Sequence, residues 1–194
     1  MFSQVELQSL RITSDVQQIV NQIGARAADR GFVQSSFSDD VLLTFWTLLR
    51  WERKVGIVAL ERLRVSLAVL EQDVNSKLNA RREETSKLVQ RQLRDQYFEQ
   101  VGPSDQLDRD KLRLAVGPLF QQAQAILKAR ILDLLTQAKA ESDALEHTWV
   151  GTEHVLLAIC KLADDGLAAI LKKHGIDHDA AVTAIIGIMS GKCR

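Results

Sequence analysis

The chain has 194 residues, of which 46% are hydrophobic and 26% are charged, and it contains two prolines. This composition is typical of a soluble, mostly helical protein that is long enough to bury a core. Lys and Arg together number 25, as do Asp and Glu, so we expect no bulk attraction to nucleic acid or to an anionic membrane surface. Nucleic-acid and membrane partners are therefore disfavoured.

The ends and the cysteines of the chain add constraints on location. The first residues, MFSQVELQSLRITSD, lack the basic region and apolar block of a signal peptide. No apolar run approaches the ~18 residues that a membrane span requires. Cys160 and Cys193 form neither a disulfide framework nor a metal-ligand pattern. We expect a reduced, cytoplasmic protein that is a monomer or a weak dimer.

Helical periodicity covers the first eighty residues. Thr13 or Ser14 is a candidate N-cap for a first helix that stops at Gly31. Ser38 then stands ahead of an almost unbroken apolar block over 41–49, which is typical of a helix buried on most sides. Two shorter helical segments follow. The apolar stripe of the first helix is Val16, Ile19, Val20 and Ile23.

Residues 80–118 differ from what precedes them because they are rich in charge. Gly102-Pro103 and Gly117-Pro118 are turn signals. Between the breaks, apolar residues recur every four positions, which predicts an amphipathic helix. That helix must rest on the rest of the chain or on a partner. The recurring residues are Val89, Leu93, Tyr97 and Val101.

From Leu119 onward the helical pattern of the first eighty residues returns, and Asp177 is the candidate cap of the closing helix. Residues 40–43 align with 154–157, and Leu60 aligns with Leu171 further on. The alignment predicts an all-α fold in which a four-helix unit is duplicated around one core. The predicted division is a first, degenerate repeat at 1–79, a charged helical insert at 80–118 and a second repeat at 119–194.

The stretch VGTEHVLLAI, followed by DGLAAILKKHGID, resembles the repeat of the N-terminal domain of the Clp unfoldases and of stand-alone accessory subunits related to them. The second copy, about 128–190, carries the Gly-Thr-Glu-His turn, and the first, about 12–79, has Phe-Ser-Asp-Asp there. The resemblance implies a compact domain of two pseudo-symmetric Clp repeats that catalyses nothing and uses no cofactor. Without ATPase modules, it would serve as an accessory or adaptor for a Clp-type unfoldase or protease, or bind the substrates.

The resemblance also implies a protein-binding site at the starts of the two buried helices. In some family members the Glu of the turn binds the guanidinium of phosphorylated arginine, a role that falls here to Glu153 with Thr152 beside it. In the first copy it falls to Asp39 beside Ser38. A structural alternative stays open, in which Thr152 caps its helix and Glu153 favours the positive end of the helix dipole. Trp51 is a candidate contact residue, or it packs under a loop.

No residue pattern in the sequence clearly predicts a catalytic or metal site. His174 and His178 are separated by Gly175 and Asp177, which break a helix, so the two imidazoles would not share a face. The C-terminal GIMSGKCR departs from the spacing of a phosphate loop. Alternative functions are an unrelated interaction or oligomerisation domain, or a small-ligand-binding helical protein with polar groups of perturbed pKa in a deep pocket.

Overall fold

The computed structural model describes residues 9–29, 36–51, 54–101 and 109–191. In these ranges the chain is all-α, as predicted, and an isolated parallel bridge joins Ile12 to Val150. None of the helices within these ranges is long and apolar enough to cross a membrane. The eight helices are α1 (Ser14–Asp29), α2 (Phe37–Leu49), α3 (Val55–Arg62), α4 (Leu67–Val101), α5 (Arg109–Ala144), α6 (Thr152–Leu162), α7 (Asp165–Lys173) and α8 (His178–Met189).

The first two helices form where local signals place them. The Thr13 hydroxyl accepts a hydrogen bond from the Val16 N–H at 3.4 Å and so caps α1, whose predicted apolar stripe is buried. Helix α2 begins before Ser38, with Ser36 as its N-cap, and its apolar block is buried throughout. Gly31, the predicted stop of α1, lies outside the described residues.

The two short helices α3 and α7 end in the same way. Arg64 and Gly175 follow them with positive φ, at 60° and 69°. The N–H of Val65 bonds back to the Leu60 carbonyl at 3.1 Å, and the N–H of Ile176 bonds back to the Leu171 carbonyl at 2.9 Å. Both are Schellman-type ends with a buried apolar residue after the turn. The equivalence matches the alignment made from the sequence.

Two long helices occupy the middle of the chain. Helix α4 continues without interruption from the first eighty residues to Val101. Helix α5 runs through Gly117-Pro118, so the break predicted there is wrong. A proline within a helix costs about 3 kcal/mol, and the long helix-forming run that follows offsets that cost. Gly102-Pro103 and the side chains of the predicted apolar stripe at 89–101 lie outside what the structure describes.

Helices α2 and α6 lie at the centre of one hydrophobic core. Helix α2 packs against α1, α4 and α6, and α6 packs against α5, α3 and α8. Around them, α3 contacts α8 and α7 contacts α4. This packing brings the start of α6 to the start of α3, and the starts of α2 and α7 to α4. The two-repeat arrangement and the division into 1–79, 80–118 and 119–194 stay predictions.

Candidate protein-binding site

Helix α6 begins after Gly151, its N-cap, so Thr152, Glu153 and His154 form the first turn. The prediction that Thr152 caps this helix is wrong. Its hydroxyl oxygen instead accepts a hydrogen bond from the N–H of Gly56 in α3, at 3.3 Å. The glycine permits this approach, because a Cβ at position 56 would lie 2.9 Å from the Thr152 carbonyl oxygen. Thr152 therefore joins two helix starts.

His154 makes a different capping interaction at this helix start. Its Nδ1 accepts a hydrogen bond from the Gly151 N–H at 2.9 Å, as Glu or Gln does at this position of a capping box. Since Nδ1 accepts, the neutral ring carries its proton on Nε2, which donates to Nδ1 of His147 at 2.8 Å. The His154 side chain is completely buried, and burial, with His147 beside it, lowers its pKa to about 4.

Of the three polar residues in this turn, Glu153 contributes least to holding the turn together. Its carboxylate folds back over Gly151, where a Cβ would lie 2.3 Å from Oε1. The residue is 8% exposed, and burial raises the pKa of Glu153, opposed by a hydrogen bond from its own backbone N–H. The Thr152 hydroxyl is 3.5 Å from Oε2. His154 Nδ1 lies 3.4 Å from Oε1, but the neutral ring makes no ion pair there.

No lysine or arginine in the described part of the chain forms an ion pair with Glu153. The negative charge of Asp15 adds to burial in raising the pKa of Glu153, and Asp15 itself pairs with Lys54 at 2.9 Å. Glu153 is thus a largely enclosed carboxylate at a helix start, where backbone N–H groups favour negative charge, and it can still accept a cationic donor.

The start of α2 is organised differently. Ser36 Oγ accepts from the Asp39 N–H at 3.2 Å, and Asp39 Oδ2 accepts from the Ser36 N–H at 2.9 Å, which is a complete capping box. Asp39 Oδ1 accepts from Nη1 of Arg81 in α4 at 2.7 Å. Asp39 is the third residue of its helix, as His154 is in α6, whereas Glu153 is the second. Both Asp39 oxygens are therefore engaged within the chain.

The other predicted contact residues have less defined surroundings. Ser38 is half-buried, and together with Asp39 it lines a cavity where the starts of α2 and α7 meet α4. Trp51 is half-buried and packs against the core. Trp149, just before the Gly151 turn, is 57% exposed, and no pattern in the sequence singles it out. The binding roles of Glu153, Thr152, Asp39, Ser38 and Trp51 stay predictions.

Three potential metal ligands, His147, Glu153 and His154, place one ligand atom each within 4.8 Å of one another. Sequence reasoning missed this cluster because His147 lies in the non-helical segment before α6, where helical spacing says nothing about its distance from the turn. The hydrogen bonds oppose metal binding at this place. Since the Gly151 N–H occupies Nδ1 of His154, Nε2 carries the proton and offers no lone pair to a cation.

The two histidines with suggestive spacing contact different carboxylates. His174 Nε2 lies 2.8 Å from Asp73 in α4, and His178 Nε2 lies 2.9 Å from Glu141 in α5. These contacts tie the end of α7 to α4 and the start of α8 to α5. The imidazoles therefore stabilise the packing of neighbouring helices.

Comparison with known proteins gives one partial similarity. A segment of 52 residues is 38% identical to a probable ATP-dependent Clp protease ATP-binding subunit of Chlamydia pneumoniae. The segment covers 27% of this chain and 6% of the length of that protein. No family model matches the chain. No solved structure matches it either.

Proposed function

We propose that this chain is a non-enzymatic protein-binding module that works as an accessory or adaptor protein for a Clp-type unfoldase or protease, or for its substrates. The partial similarity to a Clp protease ATP-binding subunit supports this proposal, and so does the all-α fold. The VGTEHVLLAI stretch adds the resemblance to the Clp repeat. The module needs no cofactor, and its cytoplasmic location stays a prediction from the sequence.

The carboxylate of Glu153 is the observation that carries the proposal. It is held at the start of α6, largely enclosed, with no lysine or arginine of the described chain paired to it. A guanidinium or ammonium group of a partner protein would form a charge-assisted hydrogen bond with this carboxylate. Binding would also remove the cost of keeping a charge in a partly desolvated place.

The neighbours of Glu153 fix its position rather than bind the partner. Thr152 and His154 are buried and bonded to Gly56 and Gly151, so the turn is rigid before a partner arrives. A rigid site loses less conformational entropy on binding. The exposed Trp149 lies two residues before the turn and offers an aromatic surface of the kind common in interface hot spots.

Parallel capture experiments test the proposal. The intact protein, Glu153→Gln and Glu61→Gln serve as baits for a purified Clp ATP-binding subunit, with Glu61 as the matched control because it is exposed on α3. Asp39 is left unchanged, because its loss would disturb the cap of α2. We expect capture by the intact protein and by Glu61→Gln, and its loss with Glu153→Gln. Equal capture by all three baits would show that Glu153 is not the contact, and no capture by any would contradict the adaptor role.

A further inference from the structure

Two arginine side chains lie over one tryptophan ring where helices α1 and α2 end. Cζ of Arg26, in the last turn of α1, lies 4.7 Å from the centre of the Trp46 ring, and Cζ of Arg50, the C-cap of α2, lies 4.3 Å from it. Each guanidinium is attracted by the face of the indole. This arginine pair belongs to the ends of α1 and α2, whereas the turn at Glu153 is the start of α6.

The guanidinium of Arg26 is poorly satisfied within the chain. Its Nη2 donates to the side-chain oxygen of Gln22 at 3.1 Å, and its Nη1 is enclosed without a hydrogen-bond acceptor among the described residues. Burial and the positive charge of Arg50 both lower the pKa of Arg26, so each works against the charged form. A buried N–H group of a charged side chain without an acceptor is destabilising. The fold thus holds a guanidinium that would gain from an anionic acceptor.

Arg50 is more exposed and has donors to spare. Its side chain is 50% exposed, and its Nε donates to Glu71 in α4 at 2.7 Å. An arginine carries five N–H donors, and Nε is the donor that Arg50 uses for this contact within the described chain. An ion pair at the surface is screened by water and contributes little. Arg50 can therefore bind a second acceptor through its Nη groups.

The packing of a buried helix in this position does not need the arginine pair. At the offset that aligns the two copies in the sequence, Trp46 corresponds to Cys160. At the same offset, Arg26 corresponds to Ala140. Helix α6 is buried along most of its length with these smaller residues in their places. Because two guanidiniums that lie close together repel each other, the pair in the first copy carries a cost that core packing does not explain.

We infer that Arg26 and Arg50 form a binding site for an oxyanion, a phosphate or carboxylate group that accepts N–H groups from both side chains. Such a ligand would replace the repulsion between two cations with charge-assisted hydrogen bonds, for which the planar guanidinium is well suited. Nη1 of Arg26 is enclosed, so binding requires a side-chain movement, and the half-exposed Arg50 can make it. Glu71 opposes the ligand, because its carboxylate competes for Arg50.

Thermal unfolding tests this inference without any Clp partner, so the result is independent of the proposed adaptor role. The Tm of the intact protein is measured in 50 mM sodium phosphate or sodium acetate at pH 7.5, each compared with sodium chloride of equal ionic strength. With a dissociation constant on the order of 10 mM, phosphate would favour the folded state about sixfold. That corresponds to a rise of about 2 to 4 °C in Tm for a chain of this size.

Phosphate also stabilises folded proteins without binding to a site, so the rise is compared among variants. Arg82→Gln is the matched control, because Arg82 is exposed and lies outside the pair. We expect the rise in the intact protein and in Arg82→Gln, and we expect the double variant Arg26→Gln/Arg50→Gln to lose it. Glu71→Gln should enlarge the rise, since this substitution removes the competing carboxylate.

The two salts distinguish the sources of the oxyanion. A pair-dependent rise with phosphate alone assigns the site to a phosphate group, and a pair-dependent rise with acetate assigns it to oxyanions that include carboxylates. Equal rises in the intact protein and the double variant, or no rise in the intact protein, would overturn the inference and leave both arginines as cations that stabilise helix ends. If the double variant does not fold, Arg50→Gln decides, and an undiminished rise there overturns the inference.

Discussion

Acidification should destabilise the fold through His154, because the imidazole of this residue is neutral in the folded protein. The pKa of His154 is about 4 in the folded chain, against 6.5 for an exposed histidine. As the pH falls below 6.5, the unfolded chain binds the proton and the folded chain does not, so stability declines until the pH has passed 4. Each unit of the difference is worth about 1.4 kcal/mol, which gives a loss of about 2.5 kcal/mol at pH 4.5 relative to pH 7.5.

The physical origin of this loss is the bonding of both ring nitrogens. Protonation of Nδ1 would break the bond from the Gly151 N–H and place a charge in a completely buried position beside His147. His154→Gln is the matched control, because a glutamine can accept from Gly151, donate to His147 and does not titrate. The difference in pH response between the two proteins isolates His154, since all other titrating groups are shared.

The assay is thermal unfolding followed by circular dichroism between pH 7.5 and 4.5. The intact protein should lose about 5 to 10 °C more in Tm over this range than His154→Gln. Parallel pH profiles of the two proteins would refute the reasoning, because they would mean that His154 gains or loses no proton on unfolding.

Three further substitutions test the local geometry. Thr152→Val leaves the buried Gly56 N–H without its acceptor and should lower the free energy of unfolding by about 1 to 3 kcal/mol in urea titrations; an unchanged midpoint would contradict that bond. Arg64→Gly removes a side chain from a residue with φ of 60° and should raise the free energy of unfolding by about 0.5 to 1 kcal/mol; a lower midpoint would argue against the left-handed turn. Gly151→Ala places a Cβ 2.3 Å from the carboxylate of Glu153, so it should weaken capture of a Clp subunit while helicity by circular dichroism is kept; full capture would contradict the proposed site.

Helix positions could be predicted from the sequence because they depend on local signals. The caps at Thr13 and Asp177 are short polar residues before apolar runs, and both accept the expected backbone N–H group. The buried block at 41–49 needs no knowledge of its neighbours. Gly117-Pro118 misled the prediction, because the cost of one proline is smaller than the stabilisation of a long helix around it.

The contacts of the candidate site could not be predicted, because they depend on tertiary packing. Arg81 lies 42 residues from Asp39, and in a charge-rich run it is indistinguishable from the exposed Arg82. The sequence favours Thr152 as the cap of α6. Its hydroxyl instead accepts a hydrogen bond from the Gly56 N–H, a contact that exists only because α3 packs against α6. The sequence motif predicted where the turn is and could not show that Glu153 is left without a lysine or arginine partner in the described chain.

A binding titration between the purified protein and a purified Clp ATP-binding subunit tests the central claim most directly. Hydrogen bonds to charged groups contribute about 1.5 to 3 kcal/mol, so Glu153→Gln should raise the Kd by at least about tenfold, while Glu61→Gln should leave it unchanged. An equal Kd for the intact protein and Glu153→Gln, or no binding by the intact protein, would contradict the claim that this turn recognises a Clp partner.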